Sequence, residues 1–233
     1  MEFFSRLPLF GSLANAAFII TGALLGLLLR SRLPKKMLEL PVQGMALFVV
    51  SLGIAMAIKT KQPLIVIVSI AAGSFTGELL DLEGRLERGS KALEARLGDS
   101  AAGFSTAFLT TSLIYCTGSM AVLGSFEEGL GHYPSLLIAK GLIDGLTSVA
   151  MAASLGFGVI FASVPVFLYQ GVLTLAARWL QPFMSASAVL EMSAAGGLML
   201  MAIGINLLGF MKIRVMNMLP GLVIAVVLSQ FFA

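Results

Sequence analysis

The chain has 233 residues, 58% of them hydrophobic and only 12% charged, with a mean hydropathy of +0.98. Soluble domains carry about 25% charged residues, and a chain this short could not hide so much apolar surface from water. An ordinary soluble domain is therefore excluded, and the net charge of +3, the single cysteine and the single histidine point to no nucleic-acid footprint, internal disulfide or usual zinc spacing.

A membrane crossing needs about 20 mostly apolar residues. Eight stretches qualify: 12–29, 42–58, 62–80, 103–124, 135–154, 157–178, 188–209 and 213–232. The fold class this predicts is all-α, a polytopic transmembrane helix bundle forming a single domain over 1–233. Hydrocarbon offers backbone N–H and C=O groups no partner, so each crossing closes its bonds within a helix. Before the first stretch, the small-residue pattern "SLANA" follows only a short apolar run broken by Pro8 and Gly11, so the N-terminus is read as retained.

The first stretch holds Asn15 and Thr21, two polar groups at membrane depth. The second and third are joined only by 59–61, which makes them an antiparallel pair. From the third emerges "GELLDLEGRLERGSKALEARLG", 77–98, with leucines at 79, 82, 86, 93 and 97 and mixed charge on its other faces. That spacing predicts an amphipathic helix on the cytoplasmic side, either solvated or used to join two copies of the chain.

The fourth stretch, with the fifth, makes a central hairpin over 103–154. It reads "TTSLIYCTGSMAVLGS" from 110 to 125 and is rich in hydroxyls. Its small residues suit close helix packing. They suit equally a helix broken at Thr117, Gly118 and Ser119, with freed backbone groups available to a solute or ion. The fifth stretch carries Lys140 and Asp144 in "AKGLIDGL". Four residues apart, they share a helix face. Charge inside a membrane is costly unless it is paired or faces a wet cavity. The pair therefore reads either as a structural lock or as a site where Lys140 meets a carboxylate and Asp144 a proton or sodium ion.

In the sixth stretch, Tyr169, Gln170 and Gly171 form "YQG", with Pro165 expected to interrupt the helix near mid-span. Asn206 lies in the seventh stretch and Asn217 in the eighth, just before Pro220 and Gly221. Each asparagine is interhelical glue or a ligand to a solute. Glu127, Glu128, His132 and Glu191 fall in loops or at a span mouth and are expected to be solvated.

Lys and Arg are unevenly shared between the two faces. Arg30, Arg32, Lys35, Lys36, Arg85, Arg88, Lys91, Arg96, Lys212 and Arg214 gather on one, against Arg6, Lys59, Lys61 and Arg178 on the other. The positive-inside rule then places both termini outside the cytoplasm. The sequence also repeats itself: "FIITGAL" compares with "FLYQGVL", and "GMALFVVSLGIAMAIKTK" with "AGGLMLMAIGINLLGFMK". Residues 12–80 would then recur as 157–232 after an odd number of crossings, so the copies enter the membrane from opposite sides. Inverted repeats of this kind are a recurring plan of secondary transporters.

The segments "NAAFIITGALLGLLL", "GELLDLEGRLER", "YCTGSMAVLGSFEEGL", "KGLIDG", "YQG", "GINLLG" and "NMLP" together resemble the YqgA/YdfK-type bacterial inner-membrane proteins, a family catalogued as a domain of unknown function. The resemblance runs nearly end to end, with the family's Cys-x-Gly-x-Met-Ala at Cys116, Gly118, Met120 and Ala121. It implies a multi-spanning protein of the bacterial plasma membrane.

The function expected is a secondary transporter or permease for a small polar or anionic solute, an amino acid or organic acid, coupled to protons or sodium. A channel or leak pathway and a non-transporting regulatory or assembly role are the alternatives. The expected partners are the lipid bilayer, the solute or ion, and a second copy of the chain, a dimer being favoured. No cofactor, metal or nucleic acid is expected. No enzyme is expected either, because no nucleophile–base set is visible.

Overall fold

The computed structural model describes residues 9–32, 39–97 and 103–232; Arg6, Lys35 and Lys36 of the charge comparison lie outside them. Among the described residues every regular element is a helix. The α-helices are α1 (Phe10–Arg32), α2 (Glu39–Ala57), α3 (Pro63–Leu79), α4 (Leu82–Leu97), α5 (Phe104–Cys116), α6 (Ser119–Gly129), α7 (Ser135–Leu155), α8 (Gly158–Phe161), α9 (Ser163–Leu180), α10 (Ala186–Leu207) and α11 (Pro220–Phe232). Short 3₁₀ turns at Gln181–Phe183 and Val215–Met218 complete the set.

Four helical segments are long and apolar enough to cross a membrane: Phe10–Ser31, Ser135–Leu155, Gly158–Phe183 and Ala186–Leu207. Two bent pairs bring the number to six: α3 with the start of α4, bent by 57°, and α5 with α6, bent by 61°. Two shorter apolar helices, Val42–Ala57 and Val215–Phe231, cover the remaining stretches of the eight expected from hydropathy.

A helix start leaves four N–H groups without intrahelical partners and carries partial positive charge. In this chain, carboxylates from other segments answer that need. Glu128 accepts the Gly11 N–H at 2.6 Å at the start of α1. Glu127 accepts the Ser135 hydroxyl at 2.7 Å and the Leu136 N–H at 2.9 Å at the start of α7. Glu94 accepts the Gly103 and Ser105 N–H groups, at 3.1 and 3.2 Å, at the start of α5. Glu191, fully buried, takes the Lys61 N–H at 2.9 Å, the Gln62 N–H at 3.2 Å and the Thr60 hydroxyl, at the turn leading into α3.

The expectation that these carboxylates are solvated is corrected for Glu191, which is fully buried; Glu127 and Glu128 are half-buried and engaged at helix starts, and His132 is exposed as expected. Hydropathy sees a carboxylate as a loop signal and cannot see a helix end beside it. Glu191→Ala is therefore expected to cost roughly 3 kcal/mol, the scale for removing a charged acceptor from buried donors, measurable as a lower thermal unfolding midpoint in detergent.

The contacts divide the chain into two compact units, one from 1–42 with 93–181 and the other from 43–92 with 182–233. In the first, α1 lies along α7. A Cβ added to Gly22 would stand 2.0 Å from the Gly145 carbonyl oxygen, and one added to Gly26 2.2 Å from that of Val149. Both partners advance by four residues together, so the helices run parallel. Gly22 faces Gly145 and Gly26 faces Val149 and Ala152; Gly22 with Gly26 on α1 and Gly141 with Gly145 on α7 are two small-xxx-small pairs, the pattern that brings membrane helices to backbone contact. At the far end, Arg30 donates to the Ser154 carbonyl at 2.8 Å, closing the C-terminus of α7. Helix α9 packs on α6 and on α1.

In the second unit, α3 and α10 pack on α11, and α2 meets α10 where Gly53 approaches Gly197. The corner between α3 and α4 is pinned by Asn217, whose amide oxygen accepts the Glu83 N–H at 2.8 Å and whose nitrogen donates to Glu78 at 2.7 Å. An ion pair of Arg88 with Asp81, at 2.9 Å, spans the same corner.

The sixth stretch is interrupted, but not where Pro165 predicted. The discontinuity falls at Ala162, between α8 and α9, and Pro165 sits in the first turn of α9. There its missing N–H removes no helical bond.

Candidate functional site

The close approach of α1 and α7 puts one polar face of α7 inside the first unit. Lys140, Asp144 and Ser148 recur every fourth residue, so they line one stripe. Lys140 donates through Nζ to the Asp144 carboxylate, and the two side chains are only 7% and 8% exposed. The Ser148 hydroxyl is hydrogen-bonded to the Tyr115 hydroxyl at 2.8 Å. Lys140 Nζ lies 5.9 Å from the centre of the Tyr115 ring, a cation–π distance. Tyr115 is thus held from both sides by the α7 stripe.

Asn15, on α1, stands beside the Asp144 carboxylate. It is 0% exposed, and neither atom of its amide closes a hydrogen bond of ordinary geometry. Gln170, on α9, is also 0% exposed with both amide atoms without a partner. The register of α1 against α9 brings these two amides to one level. On one side of that level, Glu128 links the Ser12 hydroxyl, at 3.5 Å, to that of Thr174, at 3.4 Å. On the other, Ile19 packs with Val166, Tyr115 and Ala162. Asn15 and Gln170 each fall one turn from both layers.

Cys116 is half-buried, packs against the Ile19 layer and lies within electrostatic reach of both Lys140 and Asp144. Tyr169, half-buried on α9, is within reach of Cys116. Just beyond Cys116 the helix breaks. Gly118 is extended, with φ −76° and ψ 143°, and α6 starts afresh at Ser119 after the 61° bend. The Thr117 hydroxyl and N–H both turn back to the Leu113 carbonyl. The break foreseen at Thr117, Gly118 and Ser119 is present in the fold.

Other residues singled out in the sequence do not join this layer. Thr21 is exposed, and its hydroxyl donates to the Ala17 and Phe18 carbonyls at 2.8 and 3.0 Å. A polar group facing outward can meet its own helix's carbonyls and needs no cavity. Asn206 closes a loop by bonding both backbone groups of Ile213 at 2.8 Å. Asn217 pins the α3–α4 corner described above. Gly171 is buried, but a Cβ there would meet only the Leu9 side chain, at 3.7 Å.

Tyr115 and Ser148 are the members that the sequence reading left out of the site. Ser148 was reachable by extending the four-residue stripe from Lys140 through Asp144. Tyr115 had no local signal, since its place depends on how α5 packs on α7. In the second unit, a groove of about 560 Å³ near the start of α3 is lined by Lys61, Gln62, Leu64, Ile65, Val68 and Leu228 among others. Its lining is apolar apart from Lys61 and Gln62, so it offers little hydrogen-bonding recognition.

A family model described as "Protein of unknown function (DUF554)" matches residues 10–230. The chain is 30% identical over 221 residues to "Uncharacterized membrane protein YdfK" of Bacillus subtilis (strain 168), covering 93% of each chain. It is 30% identical over 224 residues to "Uncharacterized protein YqgA" of Escherichia coli (strain K12), covering 94% of this chain and 95% of that one. No solved structure matches.

Proposed function

The chain belongs to the DUF554 family, and from that premise we propose that it is a multi-pass membrane protein of the bacterial inner membrane that carries a small polar solute through the layer of Asn15, Tyr115, Lys140, Asp144 and Gln170. The reaction is secondary transport of an amino acid or organic acid coupled to protons or sodium, without covalent chemistry. One observation carries this reading: two fully buried carboxamides stand at the level of a buried Lys–Asp pair, Gln170 with no partner and Asn15 with only the Asp144 carboxylate beside it. An unpaired buried amide costs about 1–3 kcal/mol. Packing alone gives no reason to keep Gln170 in that state, whereas a solute that bonds it does.

Three further observations support the carrier plan. Each pair of helices that the repeat relates packs antiparallel: α1 with α9, α2 with α10, and α3 with α11. The alignment that lays Gly53 on Gly204 also lays Ala46 on Gly197, and Gly53 approaches Gly197 just as Gly204 approaches Ala46. That is the relation expected of inverted copies about an axis in the membrane plane. Parallel α1 and α7 fit first and fifth places in an alternating series of eight crossings in which α5 and α6 make one broken span. The excess of Lys and Arg on one face supports termini outside the cytoplasm. α4 remains the segment best suited to pair two copies of the chain.

A channel reading shares the broken helix, and single-channel conductance without coupling would favour it. The direct test is uptake of labelled amino acids and organic acids into proteoliposomes by wild type, Asp144→Asn and Lys140→Ala. Loss of flux in both variants is expected; unchanged flux in both would remove the pair from the mechanism.

Gln170→Met makes the same point with the opposite sign on stability. Replacing an unpartnered amide by an apolar side chain of similar length is expected to raise stability by about 1 kcal/mol, a shift of about 2–4 °C in the unfolding midpoint for a chain of this size. Flux should nevertheless fall about tenfold, since one solute hydrogen bond is worth on that order.

A further inference from the structure

The chemistry of the buried layer narrows the solute, on the premise that the layer is the transport site. Lys140 and Asp144 bring one charge of each sign, already paired. Glu128, a turn away, is engaged by the start of α1 and by Thr174. An incoming monoanion would need the coupling proton or sodium ion bound in the same layer, since an unbalanced charge in a water-poor interior is costly, whereas a zwitterion enters without changing the charge. The amides sharpen the argument. Asn15 and Gln170 each present an N–H₂ donor and a carbonyl acceptor; both groups of Gln170 lack partners, and the Asn15 amide has only the neighbouring Asp144 carboxylate to meet. A carboxylate alone can use only the donors, and it repels the two carbonyl oxygens. An amine alone can use only the acceptors, and it leaves the donors empty.

We infer that the solute is a zwitterion with an ammonium and a carboxylate on neighbouring atoms, an amino acid with an uncharged side chain. Its carboxylate pairs with Lys140 and takes the amide N–H groups of Asn15 and Gln170. Its ammonium pairs with Asp144 and donates to the two amide oxygens. The bound layer then carries no net charge and no unpartnered amide. Ile19, Val166 and Tyr115, packed together one turn away, are the apolar groups that adjoin the solute's side chain.

The test is uptake by the purified full chain in proteoliposomes. Labelled glycine, alanine and serine are compared with ethylamine and ethanolamine, which lack the carboxylate, and with acetate and lactate, which lack the amine. The expected result is entry of at least one zwitterion, with no competition from the amines or the acids at about tenfold excess. Asn15→Ala and Gln170→Met should each weaken half-saturation about tenfold, with unfolding midpoints confirming that both variants fold. Transport of lactate or acetate as fast as alanine would overturn the zwitterion and leave the transport reading standing. Zwitterion uptake unchanged in both amide variants would overturn this placement of the solute. No uptake of any compound, together with no shift of the unfolding midpoint by any of them, would overturn both readings.

Discussion

Asp144→Asn is expected to lower stability by about 3–5 kcal/mol and to abolish solute flux, because it leaves the Lys140 ammonium charged and unpaired in a low-dielectric interior. The magnitude follows from burial: both side chains are less than a tenth exposed, so water cannot replace the lost carboxylate. A second variant separates structure from function. Lys140→Met combined with Asp144→Leu removes both charges and fills the space with apolar atoms. Replacing a whole buried pair in this way is often neutral or stabilising, so the double variant should recover the wild-type unfolding midpoint or exceed it. It should remain inactive in the uptake assay. Recovery of both stability and flux would reduce the pair to a lock between helices.

The second large effect is expected where α1 touches α7. Gly22→Ala places a methyl group 2.0 Å from the Gly145 carbonyl oxygen, which is backbone and cannot rotate away. The two helices must move apart, at about 2–3 kcal/mol for the single methyl and more for a larger side chain. The cost reaches function directly, because the same approach holds Asn15 against the α7 stripe. Gly44→Ala is the control. Gly44 lies within α2 with nothing within 4 Å of its added Cβ, and replacing a helical glycine there should stabilise by about 0.5–1 kcal/mol. Unfolding midpoints of the two variants, measured side by side in one detergent, should move in opposite directions.

What could be read in the sequence was local. Apolar runs of span length marked the helices, and the helical period placed Lys140 over Asp144. The Thr117–Gly118–Ser119 cluster marked a break that the fold contains. Pro165 was misleading because a proline disrupts a helix only beyond its first turn, and α9 starts at Ser163. Glu128 and Glu191 were read as solvated because the helix ends they serve lie 117 and 130 residues away along the chain, and Glu127 because hydropathy marks no helix end at Ser135, eight residues on. Tyr115 and the shared level of Asn15 and Gln170 were out of reach for the same reason: each depends on interhelical register. Thr21, Asn206 and Asn217 show the converse, since polarity at membrane depth can be met by a helix's own carbonyls, a loop or a corner.

The layer between α1, α5, α7 and α9 is closed in this structure, and the account rests on its opening to water during transport. Cys116 reports on this directly, as the one cysteine in the chain and a neighbour of the Lys140–Asp144 pair. A thiol that faces lipid or dry protein does not react with a charged methanethiosulfonate reagent, which stays in water and requires the thiolate. Wild-type protein in lipid vesicles should be labelled at Cys116 by such a reagent, and more slowly when alanine is present in excess. A Cys116 that stays unlabelled in the folded protein, yet reacts fully after denaturation, would contradict the account.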